Sequence, residues 1–357
     1  MPRINMDLIR ILWVKIELLQ TFILWFLQYI GSKWKVRKLK KAIQRSESEC
    51  PKKNENHNNS HRKPFLEFKE KIDENFSIAP EIVTFTKIMG KLTGIMVTTN
   101  GSDTCFLQKI RRLKNTVGES GDRAVLTFTT VYHAFGVEDS LNGIFKLARE
   151  WKKYKTEVIL FYDEKVDDFY MEKKCPHLKE FRLLDTDKEE GIQNDWCAIE
   201  CEVNCDSVYE TNGVERNLVN ALEHYLEDYK RKQKEIYESI KNNTISNDNL
   251  VVIIGHPHGG PKQVSVGRHY PLLKDEPKKV RSSQLWCRYY YDAPTCIGNS
   301  GSPVFIPGQP IAGFGFWFGH QHNHKSDVTS TSRWARAKRI YPDIKCLGMS
   351  SIGVEQC

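Results

Sequence analysis

The chain has 357 residues, 40% of them apolar and 27% charged, the composition of a folded globular body with room for an appendage. Its ten cysteines are too sparse for a disulfide-scaffold protein. The formal charge of +8 is local, because residues 31–63 carry 11 Lys/Arg against 3 Glu, 11 − 3 = +8. The rest of the chain is neutral overall, which excludes a basic nucleic-acid-binding body, and no specific nucleic acid is expected.

Residues 1–30 are hydrophobic with helical spacing. Asp7, Arg10, Glu17, Thr21 and Gln28 make a narrow polar stripe beside a wide apolar face that includes Leu18, Leu19, Phe22 and Phe26. Three readings fit: an amphipathic helix lying in a membrane interface, a transmembrane span with Lys15 and Glu17 in mid-window, or a helix packed on the body or a partner. A cleaved signal peptide is not expected, since charges interrupt the apolar run and no small-x-small site follows. Lys33, Lys35, Arg37, Lys38, Lys40 and Lys41 come next. Under the positive-inside rule they hold this flank on the cytoplasmic side, so residues 4–41 are a candidate contact with an anionic membrane. The same cluster also reads as a nuclear-import signal. Residues 31–75 form a basic, polar tether expected to be disordered.

Patterned sequence resumes at 76. Short β-like runs occupy Ile82–Phe85, Gly94–Thr98, Thr104–Ile110, Ala124–Thr130 and Thr156–Phe161. The fourth runs into Val131-Tyr132-His133-Ala134, placing a histidine just past a strand end. Asp195 opens a further alternating run to Val203, whose one face holds Cys197, Ile199, Cys201 and Val203. These cysteines, with Cys205, read as small core residues, because four residues of straight strand spread the sulfurs by about 13 Å. Together these runs predict an antiparallel barrel over about 76–212. Residues 213–242 have helical periodicity and many exposed charges, and are expected to connect two barrels from the surface.

The second barrel, about 249–320, starts at the continuous apolar strand Leu250–Ile254 and turns through His256-Pro257-His258, to which a structural role is given. Gln263–Val266, Leu285–Tyr291, Pro303–Ile306 and Pro310–Phe318 supply its other strands, and residues 321–357 form a C-terminal segment. Within it lies Gly298-Asn299-Ser300-Gly301-Ser302-Pro303. This glycine-flanked turn presents a serine hydroxyl where a carbonyl can approach and backbone N–H groups can converge on an oxyanion. The alternating His320, His322 and His324 are read as a solvated loop, and neither they nor the strand cysteines are taken as a metal site.

The blocks Thr130–Ala134, Asp195–Ile199 and Gly298–Pro303 occur in the order His…Asp…Ser. They resemble the T-A-A-H, D-I-A-L-L and G-D-S-G-G-P blocks of the trypsin-like (chymotrypsin-fold) serine peptidases, over roughly residues 78–355. The resemblance implies an all-β fold of two antiparallel barrels with the site between them, here with an inserted helix and an N-terminal hydrophobic helix. It implies a His133–Asp195–Ser300 triad and an oxyanion hole of Gly298 and Ser300 N–H groups. Asp163, Asp167, Asp168, Asp185 and Asp187 compete with Asp195, and strand context favours the last.

Departures from the secreted branch are informative. Asn299 replaces the aspartate that pairs with a newly cleaved amino terminus, and Ala134 stands where a half-cystine follows the histidine. Both look like the intracellular, HtrA-like side of the superfamily. Ser302 replaces a glycine. Pro294 occupies the position that selects basic side chains in the trypsin subgroup, so Lys/Arg preference is not implied. With Phe316 and Trp317 it is assigned to the substrate wall, for an apolar side chain. The expectation is a serine endopeptidase acting on protein or peptide substrates without a cofactor. The alternatives are a catalytically silent binding module of the same fold, or a membrane or nuclear scaffold working through residues 1–63. Sequons at Asn58, Asn75, Asn100 and Asn242 matter only in an oxidising lumen, against which the cysteine pattern argues.

Overall fold

The computed structural model describes residues 47–48, 50, 59–72, 77–98, 101–113, 121–135, 137–139, 145–147, 156–164, 174–184, 195, 197–245, 249–273, 278–281, 284–307, 310–311, 315–316, 322–327, 331–343 and 348–355. The expected helix at 4–30 and the basic cluster after it lie outside this set. Among the described residues no helix is long and apolar enough to cross a membrane.

Two antiparallel sheets dominate. The first has seven strands in the order His177–Leu178, Glu157–Leu160, Thr93–Val97, Ser102–Arg112, Arg123–Thr130, Cys197–Asn204 and Arg182–Leu183. Its two edge strands are joined by only Lys179, Glu180 and Phe181, which reach at most about 14 Å. Seven strands laid flat would separate the edges by about 29 Å. The sheet must therefore curl until its edges approach, as a barrel does. The second sheet has eight strands in the order Arg62–Pro64, Gln263–Arg268, Leu250–Gly255, Pro303–Phe305, His322–Asp327, Gly348–Glu355, Gln284–Tyr291 and Lys278–Arg281. Among the described residues neither sheet pairs edge to edge, so two antiparallel sheets is the architecture they show.

Several expectations need correction. Within the tether expected to be disordered over 31–75, Arg62–Pro64 pairs with Gln263–Arg268 as an edge strand of the second sheet, and Phe65, Phe68 and Ile72 are buried in the core, because a polar average over the stretch hides the few apolar residues that dock. Ile82–Phe85 is not a strand but part of the helix Pro80–Lys91. A four-residue apolar window cannot reveal its period, whereas the longer stretch buries Ile82, Val83, Phe85, Thr86 and Met89 at helical spacing. Pro80 at the first position presets the backbone, and Glu81 complements the positive end of the helix. The inserted helix begins later than 213: Val214–Asn217 pairs with Val208–Thr211 as a hairpin. Asn217 then accepts from Asn220 N–H at 2.9 Å and caps the helix Leu218–Lys241. Pro310–Phe318 is not one strand, because Pro310–Ile311 folds back on Gly315–Phe316. Finally, His322 and His324 belong to a strand between Pro303–Phe305 and Gly348–Glu355, not to a loop.

The long helix is a core element and not a surface connector. It buries Leu218, Val219, Leu222, Leu226, Tyr229, Ile236 and Ile240. The Tyr229 ring stacks on Phe85 with centroids 5.1 Å apart and meets Phe106 of the first sheet at 5.4 Å. Phe85 in turn lies 4.5 Å from Phe305 of the second sheet. One aromatic cluster thus joins both helices to both sheets, and such pairs add about 0.5–1.5 kcal/mol each beyond the area they bury.

A buried ion cluster makes a second joint. The fully buried Lys262 donates through Nζ to Asp163 Oδ1 at 2.8 Å and to the Gly90 carbonyl at 2.5 Å. Lys91 donates to Asp163 Oδ2 at 2.6 Å, and Lys262 Nζ sits 5.0 Å over the Phe65 ring. Burial alone would raise the Asp163 carboxyl, but Lys262 and then Lys91 outweigh it and hold the group at about 2. The competing aspartate is therefore committed to lysines.

Candidate active site

Strand register brings His133 and Asp195 together. Cys197 pairs with Thr130, so the residues just before Cys197 and just after Thr130 run past the same end of the first sheet. His133 lies there in a short 3-10 turn, Tyr132–Phe135. Its backbone N–H donates to Asp195 Oδ1 at 2.9 Å, and its Nδ1–H donates to Oδ2 at 2.6 Å. The second bond fixes the tautomer that leaves Nε2 as the basic nitrogen. Asp195 is 1% exposed, and its backbone lies in the left-handed region at φ 55°. That conformation is uncommon outside glycine but tolerated by Asp. Asp195 thus sits in the turn before the strand, and the strand itself begins at Cys197.

The serine loop belongs to the second sheet and is gripped by the first. Thr104, in Ser102–Arg112, donates its N–H to the Ser300 carbonyl at 2.8 Å. Its Oγ1 donates to the Gly298 carbonyl at 2.8 Å and accepts from His256 N–H at 3.0 Å. Thr130 Oγ1 donates to the Thr104 carbonyl at 2.8 Å, three residues before His133. This one buried threonine therefore links the serine loop, the His256 turn and the strand that carries His133. Nothing in the sequence distinguishes it from any β-branched strand residue.

Within the loop, positive φ falls at Gly298 (93°) and Gly301 (81°). A Cβ at Gly301 would come 2.0 Å from the Thr104 carbonyl oxygen, and one at Gly298 2.6 Å from the His256 carbonyl oxygen. Both positions require glycine on conformation and on space. Ser302 is absent from the positive-φ residues and wholly buried, so a side chain is accommodated where the resembling motif has glycine. Ser302 Oγ and Asn299 Oδ1 are both buried, beside Gly255. A Cβ at Gly255 would come 2.1 Å from the first and 2.6 Å from the second.

Around these residues the assignments divide. Pro294 is buried. Phe316 lies in the short Gly315–Phe316 strand, and Trp317 lies outside the described residues. Asp292 accepts from Arg268 N–H at 2.7 Å and from the Tyr270 hydroxyl at 2.7 Å, so it fastens the neighbouring strand. His256 is fully buried, and burial followed by Lys262 pushes it down to about 3. It is neutral, and its Nδ1–H donates to the Gly260 carbonyl at 2.9 Å. Asp103 was not singled out from the sequence. Burial pushes its carboxyl up to about 6; His133 lowers it and Asp195 raises it, which places a second titrating acid beside the His–Asp pair.

Of the strand cysteines, Cys197 and Cys201 are buried thiols, and burial pushes Cys201 up to about 12. Among the described residues the side chains that could share a metal ion are instead Cys50, His258 and Cys296. They stand far apart in the sequence and meet only in the fold.

No protein-family model matches the chain, and no curated protein matches it. Similar solved structures include the Rv3671c protease of M. tuberculosis in its inactive form, at 10% identity and TM-score 0.32, covering 77% of this chain and 90% of that one. Deg5 is similar at 12% identity and TM-score 0.34, covering 73% and 95%. The MamO protease domain from Magnetospirillum magneticum is similar at 11% identity and TM-score 0.27, covering 68% and 89%. At these identities and scores the likenesses carry no weight of their own, and the chain's own geometry has to decide.

Proposed function

We propose that the chain is a serine endopeptidase. Ser300 Oγ attacks the scissile carbonyl, and His133 Nε2 takes its proton and returns it to the leaving amine. Asp195 holds the imidazole by two hydrogen bonds and stabilises its cation. The N–H groups of Gly298 and Ser300 receive the oxyanion, where one well-aimed donor is worth roughly 3–4 kcal/mol in the transition state. Pro294, Phe316 and Trp317 are the residues the resemblance assigns to the side-chain subsite, and the substrate is a protein or peptide. The reaction as written calls on no cofactor. Residues 4–41 are the candidate attachment to an anionic membrane surface, with nuclear import as the alternative use of the same basic cluster.

The observation that supports this reading best is the Asp195 carboxylate bonded to both Nδ1 and the backbone N–H of His133, at 2.6 and 2.9 Å. An imidazole held this way is oriented as a base. The test is hydrolysis of a fluorogenic peptide library by the full chain, beside Ser300→Ala and His133→Ala. Turnover that either substitution abolishes supports the proposal. Turnover indifferent to both, or none from folded protein on any peptide, contradicts it.

A further inference from the structure

We propose that Cys50, His258 and Cys296 form a site for one soft divalent cation of the zinc class, which ties the serine loop to the segment carrying Cys50. Their ligand atoms lie within 4.8 Å of one another. With metal–sulfur bonds of about 2.3 Å and metal–nitrogen bonds of about 2.0–2.1 Å, tetrahedral ligands stand roughly 3.4–3.8 Å apart. The 4.8 Å spread is about 1 Å wider than that, a gap that side-chain rotation would close on binding. Two sulfurs and one imidazole suit zinc and exclude the oxygen-seeking magnesium and calcium.

The three residues are buried, with 6%, 3% and 7% of their surfaces exposed. They come from three separate segments. Cys50 precedes the body, His258 lies in the turn after Leu250–Gly255, and Cys296 stands four residues before Ser300. His258 reaches the cluster from a left-handed backbone at φ 58°, a conformation costing a non-glycine residue of order 1–3 kcal/mol. Its N–H donates to the Ile297 carbonyl at 2.6 Å, which ties the strained turn to the residue after Cys296. Arg62 Nη1 donates to Cys296 Sγ at 3.1 Å, which favours the thiolate, but burial outweighs it and pushes this thiol up to about 11, so the metal itself has to displace the proton. Binding would release the two thiol protons to solvent as the metal–sulfur bonds form. A water molecule would complete the fourth position.

The ion would thus be a staple behind the loop that presents Ser300, held by Cys296 two residues before Gly298. Its readout is metal content, so a silent Ser300 would leave the inference standing. The experiment uses the full chain, reduced and stripped with chelator, then titrated with zinc against a chromophoric competitor and with cobalt(II) by absorption. One equivalent is expected to bind, with thiolate-to-cobalt charge-transfer absorption and tetrahedral ligand-field bands. Cys50→Ser and Cys296→Ser should each weaken zinc by roughly 100-fold or more, beyond the 10–100-fold typical of losing a mere outer-shell partner. Cys205→Ser should leave it unchanged. Cys50→Ser lies outside the serine loop, and its circular dichroism shows whether lost binding reflects lost folding. Absence of stoichiometric binding in the folded chain, full affinity in folded Cys50→Ser, or a Cys50–Cys296 disulfide that persists in place of the ion would overturn the proposal.

Discussion

The two halves of the candidate site are held in different ways. His133 and Asp195 lie past the end of one strand pair, where the Cys197–Thr130 register and two direct hydrogen bonds fix them. The serine loop has no such ladder. It is shaped by positive φ at Gly298 and Gly301 and gripped from outside by Thr104. The proposed acid–base half is a consequence of sheet pairing. The proposed nucleophile half is a loop shaped by Gly298, Gly301 and Thr104, and it should be the easier half to disturb without unfolding the protein.

Asp195→Asn attacks the acid–base half directly. It should lower kcat by about 10⁴-fold, the scale seen when a triad carboxylate becomes an amide and the histidine tautomer is lost. The thermal midpoint should shift little, because the buried shape is kept. Steady-state kinetics with a melting curve checks both.

The Lys262–Asp163 cluster braces the molecule away from either half. Lys262→Ala would leave Asp163 buried with Lys91 alone, and should cost about 3–5 kcal/mol in urea unfolding. The pH sign follows from Asp163, whose folded carboxyl is held at about 2, below its ordinary value. Its stabilisation is present above the unfolded value near 3.8 and is lost as pH falls through about 2. That window should carry on the order of 2 kcal/mol, and Lys262→Met should flatten it.

Thr104→Val separates the halves most cleanly. Valine keeps the volume but strands the Gly298 carbonyl and the His256 N–H, at about 1–3 kcal/mol for each buried group left unpaired. Peptidase turnover should fall, while the proton between His133 and Asp195 should keep its downfield NMR position. Equal disturbance of that proton would show that the halves are not independent. The smallest effect is expected from Asp103→Asn, which should remove an inflection near pH 6 from the pH–rate profile while changing the plateau rate by only a few fold.

What could be read from sequence follows the same division. The serine loop announces itself through Gly298, Ser300 and Gly301, because glycine need is a local property. Asp195 could be separated from Asp163 by strand context, since the partner of a residue beside a strand end is set by register; Asp163 lies instead against Lys262 and Lys91. Ile82–Phe85 looks like a strand because its β-branched residues favour one and four residues are too few to show the period of the helix Pro80–Lys91. The extended Val214–Asn217 was absorbed into the helix after it. Thr104, Asp103 and the Cys50–His258–Cys296 group left no trace in sequence, because each owes its role to neighbours brought from distant segments.

The most direct test of the central claim is labelling of the folded full chain with a fluorophosphonate, followed by peptide mapping. The account predicts one adduct per chain, on Ser300, absent in His133→Ala and much slowed in Asp195→Asn. Folded protein that takes up no label, or a label that persists at the same rate in His133→Ala, would contradict it.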